Sequence, residues 1–554
     1  MIKKEPREIW EEYKKGVDYN TAIDLYETVR INENFYVGKQ WEGVNAPDLP
    51  KPVMNIMKRV IAHQTAMIVS DDVGISFTAH YPTDQAEQMA AIFAGEVERV
   101  IEQAGIKSMH RGLIRNASVD GDACMYLYFD PDAETGQEAL GDVRAESIEN
   151  INVIFGNPYL CDVQKQPYII IAQRRTLADV RAEAEENGSK YAYNIAPDSD
   201  PNQGEAGSDN DLVTVLIKLW REDKTVWVSK TTENVVVKEP TDTDMKLYPI
   251  AWMPWETIRS SYHGQASITG LIPNQIAINR LYAMMIRSVE MNAFPKLVYD
   301  SSKIQSWSNR VGEAIAVTGG GVTDAITTAV RGADVSPQVM QVIETTVSMT
   351  RDFMGASDAA LGNVKPDNTS AIIAVQQASN VPLELQRRAF YTFVEDYARI
   401  IVDIMRAYYG NRTVVVTDQD IIKKIWQPEI DPITGMAVGA PPKVMEIPVD
   451  FGMLDDANMR LKVDVGSAAY WSEIMQMQTL DNLMAKGIIQ DAELFVESIP
   501  AKYLSSKNKI LTRIQEQKAQ MQQQMEMQQA IQAPTTMPTG ETIYQQRTAP
   551  KAVF

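Results

Sequence analysis

At 554 residues the chain is long enough for two or more domains, and its 45% hydrophobic and 23% charged content describes a folded protein and excludes a wholly disordered one. A formal charge of -20 opposes non-specific attraction to nucleic acid or to anionic membranes, yet leaves DNA open as a passenger, because a sliding channel gains nothing by gripping phosphates. Two cysteines, Cys124 and Cys161, exclude a disulfide framework and lack metal-ligand spacing, so they read as reduced residues of a cytosolic protein.

The first residues, Met1 to Trp10, lack the apolar core of a signal peptide, and no run reaches the ~20 apolar residues that span a bilayer. Synthesis and use in the cytoplasm, without a membrane partner, are expected. The N-terminal quarter reads as mainly helical. Ala22, Leu25, Tyr26 and Val29 form one amphipathic stripe; Val53, Ile56, Met57, Val60 and Ile61 form the next, with Pro52 suited to a first helical turn. A third stripe runs through Met89, Ile92, Phe93, Val97, Val100 and Ile101, and Gly105 suits its C-cap.

The period then changes. Ala123 to Phe129, Ile148 to Phe155 and Tyr168 to Gln173 read as strands, and Thr176 caps a short helix ending near Gly188. The acidic, Pro- and Gly-rich segment Asn194 to Asp211 reads as an exposed loop. Leu212 to Trp220, Thr225 to Ser229 and Val235 to Val237 form a predicted meander.

A long helix is predicted from about Ser267 to Met291, stopping before Pro295 and apolar nearly all round. Strands at Lys296 to Tyr299 and Ala314 to Val317, with a turn at Gly319 to Gly321, precede a helix from about Ser336 to Met354. After the loop Gly355 to Thr369 comes a second long helix, Thr369 to Tyr409, about 60 Å long at 1.5 Å per residue. Pro382 removes a backbone donor within it, so a kink is expected there. Residues 411–470 return to strand and loop, helices resume from Ser472 to about Gln532, and the tail beyond Pro534 reads as disordered. No internal repeat is visible.

Chemical motifs are missing. Gly319-Gly320-Gly321 lacks the Lys and Ser/Thr of a nucleotide loop and reads as a tight turn. Asp198-x-Asp200-x-Asn202 departs from a calcium loop, with Gly204 one place late and Asp209 where a Glu is needed. The histidines His63, His80, His110 and His263 are scattered, and Asp71-Asp72 and Asp455-Asp456 have no partner motif. The sequence therefore predicts no catalytic residue, no metal, no cofactor and no enzyme.

The long helices carry the informative physics, because one chain does not obviously cover them. Arg280 and Arg287, seven residues apart, share a face. Two readings stand: pairing with acids such as Glu290, or rings of positive charge that face DNA or lock adjacent subunits. In the second helix the pairs Glu384–Arg388, Glu395–Arg399 and Asp403–Arg406 contribute only ~0.2–0.5 kcal/mol each. They read as a solvated or inter-subunit face, and support must come from burying Phe390, Phe393, Val394, Ile400, Ile401 and Ile404. The intervening loop carries Asp358, Lys365, Asp367 and Asn368, and is placed to project and move.

The order of these parts resembles the portal proteins of tailed bacteriophages. Phe35-Tyr-Val-Gly-Lys-Gln-Trp41 followed by Pro52-Val-Met-Asn-Ile56 is similar to the portal N-terminal region. Gly264-Gln-Ala-Ser-Ile-Thr-Gly-Leu-Ile-Pro-Asn-Gln275, then Asn279, resembles the approach to the portal stem helix. Gly355 to Ser370 resembles the loop before the kinked wing helix, and Leu480-x-x-Leu-x-x-x-Gly487-Ile-Ile with Phe495 to Pro500 resembles the crown.

The resemblance implies an α+β, predominantly helical portal fold assembling as a ring, most often of about twelve subunits, at one capsid vertex. It implies an N-terminal helical and β-rich wing at 1–266, a stem helix at 267–292, a clip at 293–335 and a second stem helix at 336–354. A channel loop follows at 355–369, then a kinked wing helix at 370–410, a wing return at 411–470, a crown at 471–532 and a disordered tail at 533–554. It further implies a channel for double-stranded DNA during packaging, retention and ejection. The implied partners are further copies of the chain, the terminase large subunit, the major capsid and scaffolding proteins, and head-completion or adaptor proteins. The implied location is the virion, after assembly in the host cytoplasm. A virion or minor capsid protein that oligomerises without lining a DNA channel is the alternative.

Overall fold

The computed structural model describes residues 5–47, 49–69, 73–79, 83–135, 139–198, 212–293, 296–306, 316–319, 326–330, 336–354, 381–416, 444–455 and 461–467, with short pieces between 417 and 443 and isolated residues beyond 467. Two compact units divide the chain at Ala468. In the second, Ala469–Phe554, only isolated helical residues such as Met484 and Val496 are described. The expected crown thus lies almost wholly outside the described residues.

The first unit mixes helices with sheets. Pro6–Ala22 and Leu25–Val37 are separate helices, since Asp24 takes a left-handed φ of 55° and interrupts the stripe expected across Ala22 to Val29. Ile56–Val69 begins four residues after Pro52, which lies in coil. Its start is set instead by Asn55, whose Oδ1 accepts the Lys58 N–H at 3.0 Å. Asp84–Gln103 is capped by Thr83 and ends at Ala104. Gly105, at φ 66° directly after the C-cap Ala104, donates its N–H to Glu102 O and closes that helix as expected, and it also stands at the start of the next helix, Ile106–Asp120.

Asp122–Asp130 forms the centre of a three-stranded sheet between Asp142–Ile148 and Ile250–Pro254. The strand expected from Ile148 to Phe155 divides: the 3-10 turn Asn150–Asn152 separates Asp142–Ile148 from Val153–Phe155. Val153–Phe155 edges a five-stranded antiparallel meander completed by Tyr168–Thr176, Leu212–Glu222, Thr225–Thr231 and Val236–Asp242. Asp223 and Lys224, both at positive φ, make the two-residue turn of its central hairpin. Thr176 caps the helix Leu177–Glu186 by accepting the Asp179 N–H.

The helix Glu384–Tyr408 lies against the three-stranded sheet and the N-terminal helices. It buries all six residues assigned to its support, at roughly 1.5–3 kcal/mol for each large apolar side chain. The exposed pairs Glu384–Arg388 and Glu395–Arg399 contribute an order of magnitude less in total. Asp403–Arg406 departs from the expected solvated or inter-subunit face, being buried within the chain itself. Both side chains are buried, and Asp403 Oδ2 accepts the backbone N–H groups of Lys246 and Leu247 at 2.7 and 2.8 Å. This pair ties the helix to the loop before Ile250–Pro254.

Candidate assembly site

The first long helix runs from Ile272 to Ala293, after a 3-10 turn at Thr269–Leu271. Its α-helical start is later than Ser267, and Pro273 falls in the first turn, where a missing N–H costs nothing. It packs against Pro337–Phe353, whose N-terminus is set by Ser336 accepting from Gln338 and by Pro337 at the first helical position. Asn274 Nδ2 donates to Thr350 Oγ1 across the pair at 3.2 Å.

Only the N-terminal half of the first helix is buried, through Gln275, Ile278, Asn279 and Ala283. Beyond Ala283 no residue of this helix is buried. Met284, Val289 and Met291 are 41–59% exposed, and Met340, Val342 and Met349 on the paired helix are 47–55% exposed. Once the two helices have packed, both still present apolar side chains to solvent, a surface of the kind that association covers.

Arg287 Nη1 lies 3.5 Å from Glu290 Oε2, an exposed pair one turn apart. Arg280 is exposed and forms no ion pair among the described residues. The hairpin that follows the helix joins Lys296–Tyr299 to Ile326–Val330. The second strand expected there, Ala314 to Val317, is corrected in part: residues 316–317 are coil, and 314–315 lie outside the described residues. The loop residues Asp358, Lys365, Asp367 and Asn368 also lie outside them. Pro382 sits in a 3-10 turn, Val381–Leu383, directly before Glu384, and the residues preceding it are not among those described.

At the root of the first helix, residues from three sequence motifs converge through amides. Asn279 Nδ2 donates to Gln40 Oε1 at 2.6 Å, and Asn279 Oδ1 accepts from Gln275 Nε2 at 2.9 Å. Gln275 Nε2 also donates to Met54 O at 2.7 Å, while its Oε1 accepts the Ile56 N–H at 3.2 Å. Asn55 Nδ2 donates to Tyr36 O, Gln40 Nε2 to Phe35 O, and Trp41 Nε1 to Pro52 O. Gln40, Gln275 and Asn279 are 6%, 2% and 3% exposed, and each has a partner for both donor and acceptor. Buried neutral amides persist only when satisfied in this way.

A second polar cluster anchors the approach to the helix. Asp122 Oδ1 accepts the Gly264 N–H at 2.7 Å, and Asp122 Oδ2 lies 2.8 Å from His263 Nδ1, whose Nε2 meets Asn20 Oδ1 at 3.2 Å. A Cβ on Gly264 would stand 2.7–2.9 Å from Pro254 Cβ, Gly121 O and Glu256 O. Only glycine fits there. None of Gln40, Asn55 or Asp122 was singled out from the sequence as a site residue. The available signal was a pair of amides, Gln275 and Asn279, four residues apart on an otherwise apolar helix face.

Among the described residues no group of three His, Cys, Asp or Glu side chains is placed to hold a metal, and no helix is long and apolar enough to cross a membrane. A cleft of about 860 Å³ between the two larger sheets is lined by both charge signs, and its Glu183 is already held by Arg175 and by Lys230.

A family model described as phage P22-like portal protein matches residues 190–551, more than half of the chain. The chain belongs to the P22-like portal protein family. The match takes in both long helices and the Gly264–Asn279 approach, while Phe35–Trp41 and Pro52–Ile56 precede it. Portal proteins are structural and not enzymatic, and this one is a component of a phage virion. Among solved structures, a chain of the virion of a native gene transfer agent particle is similar at 9% identity, with 86% of this chain and 94% of that one covered and a TM-score of 0.37. No curated protein matches the chain.

Proposed function

We propose that copies of this chain close into a ring of about twelve at one capsid vertex and that the genome, double-stranded DNA, passes along its axis. The observation that carries this reading is the pair of helices, Ile272–Ala293 and Pro337–Phe353, whose apolar faces stay open after they pack together within a P22-like portal chain. Neighbouring copies cover those faces. In this reading the two helices are the stem, 293–335 is the clip, and 355–369 is the channel loop. Residues 1–266, 370–410 and 411–470 form the wing, and 471–532 the crown.

Charge supports a conduit. Twelve chains of -20 each carry about -240, a field that repels phosphate and lets DNA slide. Arg280, exposed and without an ion pair among the described residues, is the stem cation placed to meet DNA or an adjacent subunit; Arg287 is tied locally to Glu290. The clip meets the terminase large subunit during filling and head-completion or adaptor proteins afterwards, while the wing meets the major capsid and scaffolding proteins.

Deleting Asp358 to Asn368 tests the channel assignment. Rings form at wild-type yield, and particles fail to package or to retain full-length DNA. Loss of ring formation, or normal DNA content, contradicts the assignment.

A further inference from the structure

We propose that the buried amides Gln275 and Asn279, held by Gln40 and by the backbone of Met54 and Ile56, fix the angle at which the paired helices leave the body, and through that angle the number of subunits that close the ring. This rests on the ring reading above.

The argument begins with position. Asn279 and Ala283 are the last buried residues before the helix runs on to Ala293 without further burial. From Asn279 to the helix end is about 21 Å at 1.5 Å per residue. Neighbours in a closed ring are rotated by about 30° for twelve copies and about 28° for thirteen. A tilt of that small difference at the root moves the helix end by about 1 Å. The root must therefore be stiff to a couple of degrees if one subunit number is to prevail.

Apolar burial does not supply that stiffness. Its energy follows the area removed from water and is non-directional. The cluster beneath the helix, with Met57, Val60, Ile61, Ile268 and Leu271, holds the helix down without fixing its tilt. Hydrogen bonds weaken steeply with distance and angle. The Asn279–Gln40 and Gln275–Met54 bonds, at 2.6 and 2.7 Å, reach different segments on either side of Trp41–Pro52, so a tilt that relaxes one stretches the other. Buried polar groups that select one arrangement at little gain in stability are a known use of such pairs.

Gln40 and Asn279 face each other, so replacing both by leucine removes that donor and acceptor together. Phe35 O keeps Asn55 Nδ2 and Gln275 Nε2 keeps Met54 O, so no neighbouring buried group loses its last partner and stability stays near wild type. Purified wild type, Gln40→Leu/Asn279→Leu and the milder Gln40→Asn are compared by thermal melting and by native mass spectrometry of the assembled rings. Wild type gives one dominant subunit number. The double variant melts within a few degrees of wild type, yet its rings spread over at least two numbers, with the dominant one falling at least twofold. Gln40→Asn shifts the distribution in the same direction and decides the matter if the double variant does not fold. Variants that fold and keep the wild-type distribution overturn this inference alone. A wild type that forms no ring overturns the ring reading and this inference with it.

Discussion

Asp403 and Arg406, one turn apart on Glu384–Tyr408, form an ion pair at 3.0 Å with both side chains buried. The second carboxylate oxygen holds the Lys246 and Leu247 amides, so this one side chain joins the longest described helix to the approach to Ile250–Pro254. Removing it takes the nearer carboxylate from a buried guanidinium, which keeps Asp244, and leaves two amide donors short. Asp403→Ala is expected to cost about 3–5 kcal/mol, and Asp403→Asn less, because the amide oxygen still accepts. Urea unfolding checks this; an Asp403→Ala loss below about 1 kcal/mol contradicts it.

Asp120 supplies a pH dependence. Burial at the C-terminal end of Ile106–Asp120 pushes its carboxyl up to about 7; Arg115 opposes this, and Glu33, Glu149 and Asp122 add to it. The folded pKa lies above the unfolded one, so ionisation opposes folding. The penalty is absent below about pH 4, grows as pH rises and is complete above about 7. Asp120→Asn is expected to gain more than about 1 kcal/mol over wild type at pH 8 and to lose that advantage by pH 4. Unfolding curves at the two values decide it, and a gain independent of pH counts against the buried-carboxyl account.

Two glycines six residues apart make an internal control. Gly264 has backbone oxygens within 3 Å of where a Cβ would stand, whereas Gly270 has nothing within 4 Å. Gly264→Ala should lose about 1–3 kcal/mol or more, since neither Gly121 O nor Glu256 O belongs to a movable side chain. Gly270→Ala should be neutral or gain up to about 1 kcal/mol. Equal melting temperatures for the two variants would remove the steric reading of Gly264.

These contrasts also mark what the sequence discloses. The strands at 123–129, 168–173, 212–220 and 225–229 were legible because runs of β-branched and aromatic residues fill them. Asp142–Ile148 was not, since only Val143, Ala145 and Ile148 are apolar and charges stand between them. Ile326–Val330 is too short and too rich in threonine to stand out from its surroundings. The break at Asp24 depends on a backbone angle that no periodicity reports.

Spacing identified the Asp403–Arg406 pair but gave no hint of its burial, because burial is decided by the loop at 246–247. Of the motifs that carry the portal resemblance, two, Gly355–Ser370 and Leu480–Pro500, lie almost wholly outside the described residues. The other three, Phe35–Trp41, Pro52–Ile56 and Gly264–Gln275 with Asn279, are brought together by the structure at one amide cluster. Their joining was beyond the sequence: amides leave no periodic signal, and Gln40 lies 239 residues from Asn279.

The mass and shape of the purified assembly test the central claim most directly. Light scattering combined with electron microscopy of the full-length chain should find closed rings with an axial hole and a mass near twelve times 61.9 kDa. A stable 61.9 kDa monomer, or an oligomer without a central channel, would contradict the account.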